Sequence, residues 1–280
     1  MLCLTPLMIK VSRHFASPIK EELGEGQQAK KGIGHFGGVT FVFCFLVGIA
    51  FTPININTKI VIIAVLLFAL IGFIDDCLKS RRKSSDGLKS VTKFVLQVIA
   101  SLIIVYLLTR YNFIVAKWYY IAFYVAYITF FVNAINITDG LDGMASLISI
   151  ILLSLLYLLN RNATSFIFIY CLMGFLYFNG GKAKIFMGDT GSHAIGAIIA
   201  VEAILSAHPL YLIFASLIPT FELFSSLIQI IAIRGFDKKV FLIAPYHHHL
   251  EKKGVEEQVI VVRFSLITLL LSTIAYFIIY

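Results

Sequence analysis

The stretch IVIIAVLLFALIGFIDDCLKSRRK, residues 60–83, decides the reading of this chain. Its apolar run closes a segment over 58–74, close to the ~20 residues that cross ~30 Å of hydrocarbon. Two adjacent aspartates follow, Asp75 and Asp76, and then Lys79, Arg81, Arg82 and Lys83. Acids set against hydrocarbon are costly unless they bind a cation or reach water. Basic residues directly after a span mark its cytoplasmic flank. The stretch therefore reads as a membrane helix that ends, on the cytoplasmic side, in a pair of carboxylates.

The rest of the chain repeats this pattern. Of 280 residues, 59% are hydrophobic and 14% charged, whereas soluble domains are roughly half apolar and about one quarter charged. Apolar segments over 37–54, 58–74, 91–109, 117–135, 143–159, 164–178, 192–207, 209–233 and 261–280 predict nine spans. The opening MLCLTPLMI is half a span long: the tail of a tenth helix, or a short interfacial segment. The expected fold is all-α, a single integral membrane domain over 1–280. Alternating sides places 10–36, 75–93, 133–142, 179–190 and 234–263 on one face, with 19 of the 23 Lys and Arg. Only Lys59, Arg110, Lys117 and Arg161 fall on the other. That bias marks the first face as cytoplasmic and explains the net charge of +8 without nucleic acid. Four cysteines in no CxxC or Cys/His spacing support neither a disulfide framework nor a zinc site.

Two further acidic motifs fall on the basic face. In NAINITDGLDG, Asn133, Asn136, Asp139 and Asp142 recur every three residues, so a helix end presents them close together. Thr138 or Asp139 as the cap of the next helix would explain one of these residues, not four. In FMGDTGS, Asp189 lies between Gly188 and Gly191 before an apolar helix. Free N–H groups there suit phosphate and the carboxylate suits Mg²⁺, although an ordinary cap would look the same. Lys79, one helical turn from the Asp75–Asp76 pair, can pair with one of the two. The basic residues after it, Lys89 and Lys93 included, read as positive-inside anchoring or as a pull on anionic headgroups. His247, His248 and His249 are consecutive in the long loop after the eighth span; a phosphate site fits them better than zinc. Glu202 and Glu222 lie inside spans and each needs a partner or a water-filled cavity. A transporter would use such acids as ion relays. Trp118, Tyr119 and Tyr120 look like an interfacial belt on the outer face.

In this order the motifs resemble the polyprenyl-phosphate N-acetylhexosamine-1-phosphate transferase superfamily. The match runs from Pro6 to the end of the chain. APYHHHLEKKG, residues 244–254, followed by VIVVRF, is similar to the branch that makes the first lipid-linked intermediate of peptidoglycan. The resemblance implies a ten-helix bundle, its first helix cut short here, with a cytoplasmic active-site cleft in the bacterial inner membrane. It implies transfer of phospho-MurNAc-pentapeptide from UDP-MurNAc-pentapeptide to undecaprenyl phosphate, giving lipid I and UMP, with Mg²⁺ and in a homodimer. By resemblance, Asp75 and Asp76 are the catalytic pair, Asp189 is catalytic and holds the metal, and His247 is catalytic. Lys30, Lys79, Asn133, Asn136, Asp139, Asp142, Asn179, His248 and His249 line the substrate site, with Phe186 stacking on uracil and Gln229 nearby. Other readings are a UDP-GlcNAc-1-phosphate transferase, a transporter and an inactive relative. The chain departs from the family pattern at Gln27, at Ile33 to Phe36, where a proline is lost, and at His193. Loss of that proline is expected to loosen the loop.

Overall fold

A computed structural model describes residues 1–12, 30, 32–84 and 86–280. Gln27 lies outside the described residues. Those described form helices and connecting turns, with no strand among them. The short α1 (Leu4–Ser12) is followed by α2 (Gly37–Ala50), α3 (Ile56–Arg82), α4 (Ser90–Arg110) and α5 (Trp118–Thr138). Next come α6 (Met144–Asn160), α7 (Ala163–Asn179) and α8 (Gly188–Leu205). The chain ends with α9 (Pro209–Ala215), α10 (Leu217–Phe236), α11 (Tyr246–Lys252) and α12 (Glu257–Ile279). Five of these, α3, α4, α5, α10 and α12, are long and apolar enough to cross a membrane; α2, α6 and α7 are shorter apolar helices. This is a multi-pass membrane architecture.

Each predicted span coincides with helix, with two differences that bear on function. The eighth is broken at Ser216 into α9 and α10. Pro219 explains the position: without an N–H it fits the first turn of a helix and not the middle of one. The second span runs eight residues past Ile74, so Asp75, Asp76 and Lys79 are helical rather than in a loop.

Helix α8 is the axis of the bundle. Every residue from Asp189 to Ile204 is buried, as expected of a helix enclosed on all sides. Helices α3 and α5 form most of its sheath, with α2, α6 and α9 covering the remainder. The apolar side chains of α10 and α12, by contrast, face outward: Phe221, Ile231, Leu266 and Phe277 are among those exposed. Trp118 and Tyr119 are exposed at the start of α5, where an interfacial belt was expected. All four cysteines are free.

Candidate active site

Asp76 fixes the start of α8. Its Oδ1 accepts the Asp189 N–H at 3.0 Å, and its Oδ2 accepts the Thr190 N–H at 2.9 Å and the Thr190 hydroxyl at 2.6 Å. A helix start leaves its first N–H groups without intrahelical partners. Met187, the residue before α8, supplies no side-chain cap, so Asp76 caps the helix from the side. Gly188 permits the approach: it has φ 68°, and a Cβ there would lie 2.0 Å from the His35 carbonyl oxygen and 2.6 Å from Asp76 Oδ2. The Asp189 and Thr190 N–H groups expected to face phosphate are thus occupied by a carboxylate of the protein itself.

Asp75 and Asp189 face each other across two lysines. Lys79 Nζ lies 2.7 Å from Asp75 Oδ2 and 3.0 Å from Asp189 Oδ2. Lys93 pairs with the same Asp189 oxygen and lies 3.6 Å from Asp75. Asp75 Oδ1 accepts the Leu88 N–H, and Asp189 Oδ1 accepts from the Asn136 amide at 2.9 Å. Oxygens of Asp75, Asp76 and Asp189 all lie within 4.8 Å of one another. Three carboxylates face two ammonium groups, an all-oxygen donor set of the kind that hard divalent cations prefer. Lys93 is the residue that anchoring obscures in the sequence. Its signal is spacing: Lys93 and Gln97, four apart, share one face of α4 that turns inward.

Asn133 donates to Gln97 Oε1 at 2.8 Å, and the Gln97 amide lies 3.0 Å from His193 Nε2. The unusual His193 is therefore buried beside a polar pair in the wall of a groove. That groove, of about 1250 Å³, runs between α4, α5 and α10. Asp75, Lys79 and Lys93 stand at its charged end, and Phe94, Val125, Phe130 and Leu227 line its apolar length.

Beyond α5 the chain turns through Asp139 to Gly143. The cap of α6 is Gly143, not Thr138 or Asp139; the Thr138 hydroxyl donates back to Ala134. Asp139 is pushed well above the usual carboxylate range by burial, then by the charges of Asp189, Asp76 and Asp142. Asp142 Oδ1 binds Lys30 at 2.6 Å and its Oδ2 accepts the Ala183 N–H. Glu257, absent from the sequence reading, completes that cluster: it lies 2.7 Å from Lys30 and accepts the Asp142 N–H. Asn179 donates to the Ile185 carbonyl and so shapes the approach to Phe186. Phe186 is tied through its backbone to Gly34 and Gly37, and Met187 to Gly38. The departures at Ile33 to Phe36 thus sit beside a segment joined by backbone hydrogen bonds to residues 186 and 187. His35 Nε2 lies 3.4 Å from the Asp76 carbonyl, and burial lowers its pKa.

The segment after α10 folds back along that helix. Gln229 bonds the backbone of Val240 and Phe241, Ser225 accepts the Tyr246 N–H, and Glu222 accepts the His247 N–H. Gln229 is placed as a brace for this loop. The three histidines lie in the first turn of the seven-residue α11, each with its own partner. His247 Nδ1 lies 2.8 Å from Glu222, His248 Nδ1 2.5 Å from Glu251, and His249 Nδ1 accepts the Leu242 N–H at 3.1 Å. Burial lowers the pKa of His248, against the pull of Glu251, and also that of His249.

Residues 58–207 match the family model for glycosyl transferase family 4. The chain belongs to glycosyl transferase family 4. It is 35% identical to the phospho-N-acetylmuramoyl-pentapeptide-transferases of Thermotoga petrophila and Thermotoga maritima, over 98% of this chain and 94% of each relative. It is 34% identical to the enzyme of that name from Clostridium acetobutylicum, over 97% of this chain and 92% of the relative. The family segment runs from α3 to the end of α8 and holds the three-carboxylate cluster. The relatives extend the match over the histidine helix, which bears out the expected superfamily and its peptidoglycan branch.

Proposed function

We propose that this chain transfers phospho-MurNAc-pentapeptide from UDP-MurNAc-pentapeptide to undecaprenyl phosphate in the bacterial inner membrane, with its active site at the cytoplasmic face. The observation that carries the proposal is the apolar groove that ends at Asp75, Lys79 and Lys93. A polyprenyl chain fits the apolar length, and its phosphate meets two ammonium groups at the end. The names of the relatives support the donor sugar.

The chemistry follows from charge. A lipid phosphate has a second pKa near ~6, so it is largely ionised at neutral pH and needs little help from a base. Lys79 and Lys93 hold its oxygens and offset its repulsion from the donor diphosphate. An oxygen of the lipid phosphate attacks the sugar-bound phosphorus, the bond to the UMP oxygen breaks, and UMP leaves. Asp189 and Asp75 are the residues that would hold Mg²⁺, which when bound neutralises the diphosphate. Asp76 keeps α8 in register with α3. Lys30, Asp142 and the 186–188 segment form the wall on the nucleotide side.

Purified protein with Mg²⁺ and undecaprenyl phosphate should release UMP from UDP-MurNAc-pentapeptide and not from UDP-GlcNAc. Release from UDP-GlcNAc alone would overturn the donor; release from neither would overturn the proposal.

A further inference from the structure

Glu222 and His247 form a fully buried pair, both side chains without exposure, in the angle between α10 and α11. The Glu222 carboxylate holds the residue twice: Oε1 accepts the His247 N–H at 3.1 Å, and Oε2 lies 2.8 Å from Nδ1. The far nitrogen, Nε2, is buried and has no hydrogen-bond partner among the described residues. It lies against Gly140, where a Cβ would come within 2.1 Å of it. Gly140 is the middle of the turn that carries Asp139 and Asp142.

Anchoring α11 does not require a carboxylate at 222. Ser225 already accepts the Tyr246 N–H at 3.0 Å, and a neutral amide could accept the His247 N–H. Burying a carboxylate with an imidazole is at best marginal for stability. What the charge adds is control of the ring. It keeps the proton on Nδ1, fixes the orientation, and leaves Nε2 as the nitrogen presented to the turn. In hydrolytic triads a buried carboxylate directs an imidazole in the same way.

We propose that Glu222 is a positioning residue for the transfer reaction, acting through His247 Nε2 on the substrate side of the 139–142 turn. This rests on the transferase reading above. The full-length protein in detergent, with Mg²⁺, undecaprenyl phosphate and UDP-MurNAc-pentapeptide, provides the test. Glu222→Gln keeps an acceptor oxygen for the His247 N–H, removes the charge and sets an amide N–H₂ donor against Nδ1 in place of the second carboxylate oxygen. It should lower kcat by about 10-fold or more, with KM within about 3-fold and thermal unfolding unchanged. His247→Ala should lose at least as much, and Glu222→Gln with His247→Ala should be no worse than His247→Ala alone, as for residues acting as one unit. Gly140→Ala, which drives a methyl into the imidazole, should also lower kcat in a His247-dependent way. Nitrogen-15 spectra of labelled histidine, with the His247 signal found by its loss in His247→Ala, should show a protonated Nδ1 that changes in Glu222→Gln. Full turnover in Glu222→Gln, losses that multiply in the double variant, or an unprotonated Nδ1 in the unaltered protein would each overturn the proposal. If the unaltered protein releases no UMP, the transferase reading fails, while the histidine spectrum still tests the geometry.

Discussion

Asp189 and Glu202 are both buried carboxylates on α8, one in its first turn and one in its last, and their surroundings are opposite. Asp189 shares one oxygen between Lys79 and Lys93, with Asp75 and Asp76 close by. Among the described residues Glu202 takes only neutral donors: the amides of Asn160 at 3.1 Å and Asn162 at 2.9 Å, and the Thr164 hydroxyl. The helix dipole favours a negative charge at the first position and opposes it at the second. Neutral donors from the α6–α7 turn therefore have to satisfy Glu202, and in doing so they tie that turn to the end of α8. Burial alone does not separate a working carboxylate from a structural one. The separation lies in whether cations and other carboxylates compete for its oxygens, because only then can a substrate or ion exchange with what is present.

The largest effect that would break this comparison is expected at Asp189. Asp189→Asn should reduce UMP release by at least ~100-fold, the scale of losing a group that stabilises developing charge. It should weaken dependence on Mg²⁺ without altering insertion or thermal unfolding. Turnover near normal would put Asp189 in the same class as Glu202. Lys93→Met comes next, at about 10- to 100-fold, because Lys79 remains to hold the phosphate; an unchanged rate would return Lys93 to simple anchoring.

These two residues also show how much the sequence discloses. Spans are legible because hydrocarbon thickness imposes length and apolarity on each one. Asp75, Asp76 and Asp189 are legible because charge beside such runs demands a reason, and His247 because three consecutive histidines in a polar loop do. Partners are different. Lys93 sits in a basic run that topology alone explains, and its contact with Asp189, 96 residues away, depends on how α4 packs. The pairs Glu222 with His247 and Glu257 with Lys30 depend on a loop folding back along α10 and on the entry of α12. No periodicity encodes either. The break at Ser216 was encoded, by Pro219, but lies within a run apolar enough to read as one span. Asp76 is the intermediate case: its position at a span end is legible, its role as a cap for a helix 113 residues away is not.

Asp76→Asn should therefore split its effect between activity and stability. An amide keeps one acceptor oxygen, so one of the three donors from Asp189 and Thr190 loses its partner. A lost cap costs about 1 kcal/mol, seen as a lower midpoint in thermal unfolding, together with a roughly 10-fold fall in turnover as Asp189 shifts. A loss of turnover as deep as that of Asp189→Asn, with an unchanged midpoint, would make Asp76 a reacting group rather than a cap.

The smallest effect on turnover is expected at Glu202, and it sharpens the contrast with Asp189 most directly. Glu202→Ala leaves the Thr164, Asn162 and Asn160 donors without their acceptor, and each buried unsatisfied group costs about 1–3 kcal/mol. The thermal midpoint should fall while turnover per folded molecule stays within about twofold. Glu202→Gln retains an acceptor oxygen and should recover most of the midpoint, because the donors it meets are neutral and require an oxygen rather than a charge. Asparagine at 189 also retains an oxygen, yet there the loss should persist, because two lysines face it. The same chemical change, carboxylate to amide at the two ends of one helix, thus measures charge at one end and hydrogen bonding at the other. If Glu202→Gln abolished turnover as Asp189→Asn is expected to, the C-terminal end of α8 would hold a working group and the division between the two ends would fail.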